Sequence, residues 1–129
     1  MNDTSKRKLA TAHNDLQLLA NAVDKIFPIQ VTCGERNAKE QNTAKKNGKS
    51  ELGYPNSKHN INLKAGRRKA WAIDCVPDPD RNPATLDWND IAQFEIMCAT
   101  FEQVADELDI KIRLGRDFKF VDLPHVELI

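Results

Sequence analysis

The stretch IAQFEIMCATFEQVADEL, residues 91–108, carries the clearest structural pattern in the chain. Its apolar side chains recur every three or four positions, which places them on one face of an α-helix. Those positions are Ile91, Phe94, Met97, Cys98, Phe101, Val104, Ala105 and Leu108. Asp87 stands shortly before the stretch and is of a residue type that caps helix N-termini. We therefore predict a long helix, capped by Asp87, whose apolar face packs against the core rather than against a cofactor.

Short strand patterns lie on both sides of this helix. Residues 29–33 alternate apolar and polar side chains, and residues 70–76 form a mostly apolar run that the proline-containing turn 77–80 ends. Residues 111–114 and 125–129 alternate in the same way after the helix. We predict a short strand in each of these four segments.

The first part of the chain favours helices. Apolar residues between positions 9 and 26 recur at helical spacing, with a break allowed where Asn14 or Asp15 could cap a second helix. Residues 37–47 favour a short polar helix, and residues 48–69 are predicted to be loop. This order is typical of an α+β domain in which helices pack on a small, mainly antiparallel sheet.

Length and composition limit the class of protein. At 129 residues, 40% hydrophobic and 29% charged, the chain is expected to form a single domain, residues 1–129. The same composition excludes wholesale disorder and collagen-like structure. No window approaches the ~18 apolar residues of a membrane span, so we expect no membrane insertion. The basic N-terminus has no apolar run behind it, so we expect no secretory signal peptide.

A formal net charge of zero conceals an asymmetry between the two halves. Residues 1–69 hold 14 Lys and Arg against 6 Asp and Glu, and residues 70–129 hold 5 against 13, giving charges of +8 and −8. The halves either attract each other and solvate separate surfaces, or the first presents a basic face to a polyanion such as nucleic acid or cell wall. Residues 64–69 hold four basic side chains without interleaved aromatics, a pattern more typical of a solvated loop than of a nucleic-acid site.

Cysteines are odd in number and widely spaced, at Cys33, Cys75 and Cys98. They match neither a Cys-x-x-Cys metal motif nor the disulfide framework of a small secreted domain. Each lies in an apolar segment, so we predict small core residues, with a cysteine nucleophile as the alternative.

Two histidines and two aspartates are candidates for a hydrolytic zinc site. Catalytic zinc takes three protein ligands, commonly imidazoles and a carboxylate, and leaves one position to water. His59, Asp74 and His125 could supply the ligands, and Asp122 the base that moves the proton of the attacking water. Spacing alone does not decide this, because such residues occur in most domains and His59 could be an ordinary loop histidine.

Three motifs, in order along the chain, resemble those of zinc peptidases that include D-alanyl-D-alanine carboxypeptidases and phage L-alanyl-D-glutamate endopeptidases. They are Ser57-Lys58-His59, Ala72-Ile73-Asp74, and a late His125 with the acidic Asp122 three positions before it. Further segments are similar to the phage endolysin branch, namely residues 31–36 followed by Gln41, then 87–90, 101–103 and 114–118. The likeness covers residues 9–129, nearly the whole chain.

The resemblance implies that His59, Asp74 and His125 bind Zn²⁺ and that Asp122 is the general base, with orientation of a ligand as the alternative role for Asp122. Arg36 corresponds to the arginine that steadies the substrate's carbonyl or carboxylate, a role that suits a planar, permanently charged guanidinium. A structural salt bridge is the alternative for Arg36. The implied fold is the α+β Hedgehog/DD-peptidase-like fold.

Two departures from the family pattern matter. The family places its histidine and aspartate seven residues apart with a glycine between, whereas fifteen positions separate His59 from Asp74 and Ala70 stands at the glycine position. We interpret residues 62–69 as a basic insertion, which the ligands tolerate if it bulges outward, because lengthening a surface loop costs only about 0.6 kcal/mol per doubling. In addition, Phe118 stands where tryptophan is common and is expected to keep the packing role.

We therefore hypothesise a phage endolysin, a zinc peptidase that hydrolyses an amide of the peptidoglycan stem peptide, with L-alanyl–D-glutamate as the bond. Such an enzyme is expected to be a monomer without a separate wall-binding domain. It would be stored in the host bacterial cytoplasm and would act in the periplasm or cell wall after release. The alternatives are a D-alanyl-D-alanine carboxypeptidase and a non-catalytic peptidoglycan-binding module of the same fold, whereas nucleic-acid binding has only charge in its favour.

Overall fold

Four α-helices and four β-strands make up the fold, and the computed structural model describes all residues from 1 to 129. The helices are α1 (Asp3–Leu9), α2 (Asn14–Ile26), α3 (Ala38–Lys46) and α4 (Ile91–Glu107). The strands are β1 (Ile29–Cys33), β2 (Ala72–Pro77), β3 (Ile112–Leu114) and β4 (His125–Leu128). Single 3-10 turns cover Leu63–Ala65, Pro83–Thr85 and Gly115–Asp117. No helix has both the length and the apolar character needed to cross a membrane.

The four strands form one sheet in the order β1-β2-β4-β3, and every neighbouring pair is antiparallel. The prediction of an α+β domain with a small, mainly antiparallel sheet is therefore confirmed. In the register of the sheet, Asp74 of β2 lies opposite Cys33 of β1 on one side and His125 of β4 on the other. This pairing places residues from three distant parts of the chain side by side.

The core lies between the sheet and the helices α2 and α4. Phe94, Met97 and Phe101 of α4 are at most 1% exposed and share one apolar cluster with Leu16 and Leu19 of α2. Helical periodicity correctly predicted these buried positions of α4, whereas Leu108, also placed on this face, is the C-cap residue and is 38% exposed. Truncating one of these phenylalanines to alanine removes a large buried side chain, which typically costs 3–5 kcal/mol of stability.

Two predicted helix caps are wrong. Helix α4 begins at Ile91, and its cap is Asp90, whose side chain accepts a hydrogen bond from the backbone N–H of Gln93. Asp87 instead accepts from the backbone N–H of Asn89 in the turn before the helix, so its carboxylate is used locally. As a result, Ile91 lies at the exposed helix start, 56% exposed, rather than in the core.

At the N-terminus the predicted break between two helices is present, but neither Asn14 nor Asp15 caps the second. The side chain of His13 caps α2 by accepting from the backbone N–H of Asp15. The predicted polar helix is α3, and Asn37 and Glu40 form a reciprocal capping box at its N-terminus.

All three cysteines are free thiols, in agreement with the absence of a disulfide pattern. Cys75 and Cys98 are buried core residues, as predicted. Cys33 is only half-buried, and its Sγ lies 3.7 Å from Nδ1 of His59. Cys33 therefore lies beside the candidate site and not in the centre of the core.

Candidate metal centre

Two imidazoles meet at one carboxylate oxygen. Oδ1 of Asp74 lies 3.4 Å from Nε2 of His59 and 3.4 Å from Nδ1 of His125, and the two rings are 5.1 Å apart between centroids. Asp74 and His125 come from the adjacent strands β2 and β4, whereas His59 comes from the long loop between α3 and β2. The structure therefore brings the three predicted ligands together despite their separation along the chain.

The loop around His59 holds the ring in one orientation. The backbone N–H of His59 donates to the Ser57 hydroxyl, and its carbonyl accepts from the backbone N–H of Arg36. The imidazole is almost completely buried, and its Nδ1 lies 2.8 Å from the carbonyl oxygen of Gly34. A carbonyl oxygen only accepts, so Nδ1 carries the proton and the Nε2 lone pair of the neutral ring points at Asp74.

The ring of His125 is oriented from its opposite side. Its Nε2 lies 2.8 Å from Oε1 of Glu127, and Oε2 of Glu127 is 3.1 Å from Nζ of Lys58. Because the carboxylate accepts, Nε2 carries the proton and Nδ1 of the neutral ring presents its lone pair to Asp74. Such a carboxylate partner fixes the tautomer of a metal-binding histidine and raises its basicity.

Two polar atoms in the site are buried without a hydrogen-bond partner, Nε2 of His59 and Oδ1 of Asp74. Although 3.4 Å apart, they are not aligned for a hydrogen bond. A buried polar atom without a partner costs about 1–3 kcal/mol, so such atoms are rare unless something else satisfies them. A lone pair and a carboxylate oxygen that face the same point are satisfied together by a cation, and the donor set therefore fits a metal ion.

Two groups of three side chains could each hold a metal ion, because the ligand atoms within each group all lie within 4.8 Å of one another. Asp74 belongs to both groups. One group joins it to Cys33 and His59, and the other joins it to Asp122 and His125. The predicted ligand His59 is thus in the group with Cys33, the predicted ligand His125 is in the group with Asp122, and Asp74 is shared.

Asp122 lies at the edge of the site, with its side chain 48% exposed and Oδ2 3.9 Å from Nδ1 of His125. Its loop is held against Gly115, whose carbonyl accepts from the backbone N–H of Asp122. A Cβ at Gly115 would lie 2.0 Å from the carbonyl oxygen of Asp122 and 2.8 Å from Cβ of His125, so only glycine permits this approach. Partial burial and the negative charge of Asp74 raise the pKa of the Asp122 carboxyl.

Arg36 also lies at the centre. Its Nη2 is 3.2 Å from Oδ2 of Asp74 and its Nη1 donates to Oε1 of Gln41 over 3.4 Å. This contact is the salt bridge considered as the alternative role for Arg36, and contact with substrate stays a prediction. By holding Oδ2, the guanidinium leaves Oδ1 of Asp74 facing the two imidazoles.

Without a cation, the charges of the site are balanced by protons. Burial disfavours a charged imidazole, but the adjacent Asp74 carboxylate outweighs it and raises the pKa of His59 to about 10. Burial likewise opposes ionisation of Asp74, yet the two histidines hold its pKa well below its usual range. The nearby Asp74 carboxylate and the hydrogen bond to Glu127 raise the pKa of His125 against the effect of burial. A metal ion would therefore replace protons at these nitrogens.

The sequence assigns Lys58 and Glu127 no role in the site, and it predicts Cys33 as a core residue or, alternatively, a nucleophile rather than as a neighbour of His59. The sequence did contain one useful pattern, because Glu127 follows His125 by two positions on a predicted strand, which puts both side chains on the same face. Phe118 keeps a packing role, with its ring 5.3 Å from that of His125. The contacts of Cys33 and Lys58 depend on strand pairing and on the loop, which no local pattern predicts.

Comparison with known proteins gives a consistent result. A sequence model of the phage L-alanyl-D-glutamate peptidase family matches residues 1–129. The L-alanyl-D-glutamate peptidase of Escherichia phage T5 is 31% identical over 116 residues, which are 88% of this chain and 77% of that protein. The crystal structure of the L-Ala D-Glu endopeptidase ChiX from Serratia marcescens superposes with a TM-score of 0.79 at 22% identity, covering 100% of this chain and 89% of that one. The structural likeness supports the fold, and the sequence matches support the family.

Proposed function

The chain belongs to the phage L-alanyl-D-glutamate peptidase family, and we propose that it hydrolyses the amide bond between L-alanine and D-glutamate in the stem peptide of peptidoglycan. The single observation that carries the proposal is that His59, Asp74 and His125 lie together and leave two buried atoms without a hydrogen-bond partner. These atoms are Nε2 of His59 and Oδ1 of Asp74. A site of this kind beside an additional carboxylate, Asp122, is suited to hydrolysis of an amide.

We propose Zn²⁺ as the ion, held by Nε2 of His59, Nδ1 of His125 and Oδ1 of Asp74. Two imidazoles and one carboxylate form a ligand set that suits catalytic zinc and leaves a coordination position open. Bound zinc would polarise the substrate carbonyl and lower the pKa of a water molecule toward about 7. Gly34 and Glu127 assist by holding the distal N–H of each imidazole, so that the lone pairs stay directed at one point.

Asp122 is proposed to carry the proton during the reaction. As the water oxygen bonds to the amide carbon, the carboxylate takes the water proton, and it then returns this proton to the leaving nitrogen as the C–N bond breaks. Half exposure allows Asp122 to reach the substrate, while burial of its other half and the nearby Asp74 raise its pKa and strengthen it as a base. Arg36 is proposed to hold Asp74 and to face a carbonyl or carboxylate of the substrate.

We propose further that residues 1–129 act as one catalytic domain, as a monomer, in the role of an endolysin. In this role the protein is stored in the host cytoplasm and reaches the cell wall after release. The relationship to the phage T5 peptidase supports the peptidase activity that this role requires. The excess of basic residues in the first half of the chain, +8, would attract the anionic wall, in which case lytic activity falls as salt screens the charges.

A turbidity assay on outer-membrane-permeabilised cells tests the proposal with three samples: wild type, chelated wild type and Asp122→Ala. We expect lysis only with the wild type, restored to the chelated sample by added Zn²⁺. Mass spectrometry of the released muropeptides then identifies the bond. New L-alanine carboxyl and D-glutamate amino ends support the proposal, whereas loss of a terminal D-alanine indicates a carboxypeptidase. Binding to peptidoglycan without any cleavage indicates a non-catalytic module.

A further inference from the structure

The insertion, residues 62–69, is a closed turn rather than a loose loop. The backbones of Asn62 and Arg67 exchange two hydrogen bonds of 2.9 Å each. Between them lies the 3-10 turn Leu63–Ala65, and Gly66 adopts the left-handed φ of +78° that reverses the chain. This closure fixes the point from which the side chain of Arg67 leaves the turn.

Arg67 differs from the other basic residues of the insertion. Lys64, Arg68 and Lys69 are exposed, whereas Arg67 is half-buried and points back toward the body of the protein. Its guanidinium donates three hydrogen bonds, all of them to backbone carbonyls: Nε to Asn60 over 3.4 Å, and Nη2 to Pro55 and Ser57 over 3.3 Å each. Asn62 adds a fourth bond between the two segments, from Nδ2 to the Pro55 carbonyl over 3.1 Å.

The carbonyls that Arg67 holds flank His59 on both sides. Asn60 extends the connection further, because its Nδ2 donates to the carbonyl of Arg36 and to Oε1 of Gln41. The ring of His59 is thus held by its own bond to Gly34 and by a loop whose carbonyls are tied to the insertion. A shift of this backbone would move Nε2 of His59 relative to Oδ1 of Asp74, 3.4 Å away.

We propose that Arg67 is a positioning residue for His59 and that the insertion serves to supply it, an inference that rests on the proposed zinc site. Only a guanidinium suits this place, because its fixed planar fork reaches carbonyls in several directions at once. A lysine ammonium keeps the charge but is a compact donor on a flexible stem and cannot hold the same three groups. In this chain the extra residues between His59 and Asp74 therefore stabilise the ligand loop.

The experiment measures Zn²⁺ affinity by competition with a chromophoric chelator and records the visible spectrum of the Co²⁺-substituted protein. Four proteins are compared: wild type, Arg67→Lys, Arg67→Ala, and Arg68→Ala as a control that removes a neighbouring charge. We expect Zn²⁺ affinity to fall about tenfold or more in both Arg67 variants, with an altered Co²⁺ spectrum, and to stay at the wild-type value in Arg68→Ala. Methylguanidinium added to Arg67→Ala is expected to recover part of the affinity.

Wild-type affinity and spectrum in Arg67→Lys would overturn the inference, and so would an equal loss of affinity in Arg68→Ala, because that result assigns the effect to charge alone. If Arg67→Ala does not fold, Arg67→Lys decides the question. The wild type separates this inference from the proposed function: a wild-type protein that binds no Zn²⁺ contradicts the zinc site itself, whereas binding that is indifferent to Arg67 contradicts only the positioning role.

Discussion

Oε1 of Glu127 lies 2.8 Å from Nε2 of His125, two positions earlier on the same strand, and turns the other nitrogen of that ring toward Asp74. The carboxylate is itself anchored by Lys58, the residue before His59. Hydrogen bonds from His125 and Lys58 outweigh burial and lower the pKa of Glu127, so it stays ionised beside the imidazole. One carboxylate thus links the chain segments that carry the two histidines.

Replacing Glu127 by glutamine tests this link. The amide is nearly isosteric but neutral, so it no longer enforces the tautomer of His125 or raises its basicity. We expect Glu127→Gln to lower Zn²⁺ affinity about ten- to a hundredfold, measured by chelator competition. Glu95→Gln, a change on the exposed face of α4, is the matched control and should leave affinity unchanged. Equal affinities of Glu127→Gln and wild type would show that Glu127 does not support the metal.

Asp122→Asn should separate catalysis from metal binding. Because asparagine cannot accept the water proton, the rate of muropeptide release is expected to fall by about a hundredfold or more. Zinc content, measured by atomic absorption, should remain one ion per chain, since the three proposed ligands are untouched. Asp106→Asn, on the exposed surface of α4, should retain full activity. Loss of zinc from Asp122→Asn would instead make Asp122 a ligand.

Zinc should stabilise the folded protein, because the proposed site exists only when β2, β4 and the His59 loop are assembled. At a free zinc concentration of 100 times Kd, the free energy of unfolding is expected to rise by about 2.7 kcal/mol. Calorimetry with zinc and with chelator measures the difference. His59→Ala should abolish the response, whereas His13→Ala, which removes the helix-capping histidine outside the site, should retain it. A zinc response that survives His59→Ala would place the ion elsewhere.

Gly115→Ala should damage both stability and activity. The added Cβ would meet the carbonyl oxygen of Asp122 at 2.0 Å, so the loop that holds this carboxylate must shift. We expect a loss of about 1–3 kcal/mol in urea unfolding, together with a fall in the rate of muropeptide release. Gly53→Ala is the control, because its Cβ would have no neighbour closer than 3.5 Å. Similar stabilities for the two variants would contradict the tight approach seen at Gly115.

Acid should destabilise the protein partly through Asp24, a residue of helix α2 outside the proposed ligand set. Burial works against the charge of this carboxylate, but the backbone N–H of Ile29, the Met1 ammonium and Arg81 outweigh it and lower the pKa of Asp24. A lowered folded-state pKa contributes stability above the unfolded value of about 3.9 and loses it as pH falls through the folded value.

Urea unfolding between pH 7 and pH 2 measures this contribution of Asp24. Asp24→Asn should be less stable at pH 7, and its stability should fall less steeply than that of the wild type below about pH 4. Asp80→Asn, at an exposed aspartate, should follow the wild-type curve. Parallel curves for wild type and Asp24→Asn would exclude Asp24 as a source of acid sensitivity.

Most of the regular elements, and the residue types of the site, can be predicted from the sequence. The apolar face of α4 and the alternation in β1 and β4 follow from side-chain periodicities of 3.6 and 2, which depend only on neighbours a few positions away. Family motifs point to His59, Asp74, His125, Asp122 and Arg36. Helix caps were harder to predict, because Asp87 and Asp90 both offer a carboxylate and only the actual turn decides which backbone N–H each one meets.

How those residues meet depends on the packing of the whole chain. The strand order β1-β2-β4-β3 brings Asp74 between Cys33 and His125, and strands far apart in sequence pair through hydrogen bonds that no local pattern specifies. The bonds from Arg67 to the His59 loop arise in the same way, since their directions depend on how the insertion closes. Periodicity is a property of neighbouring residues, whereas a site built from distant segments depends on how the whole chain packs.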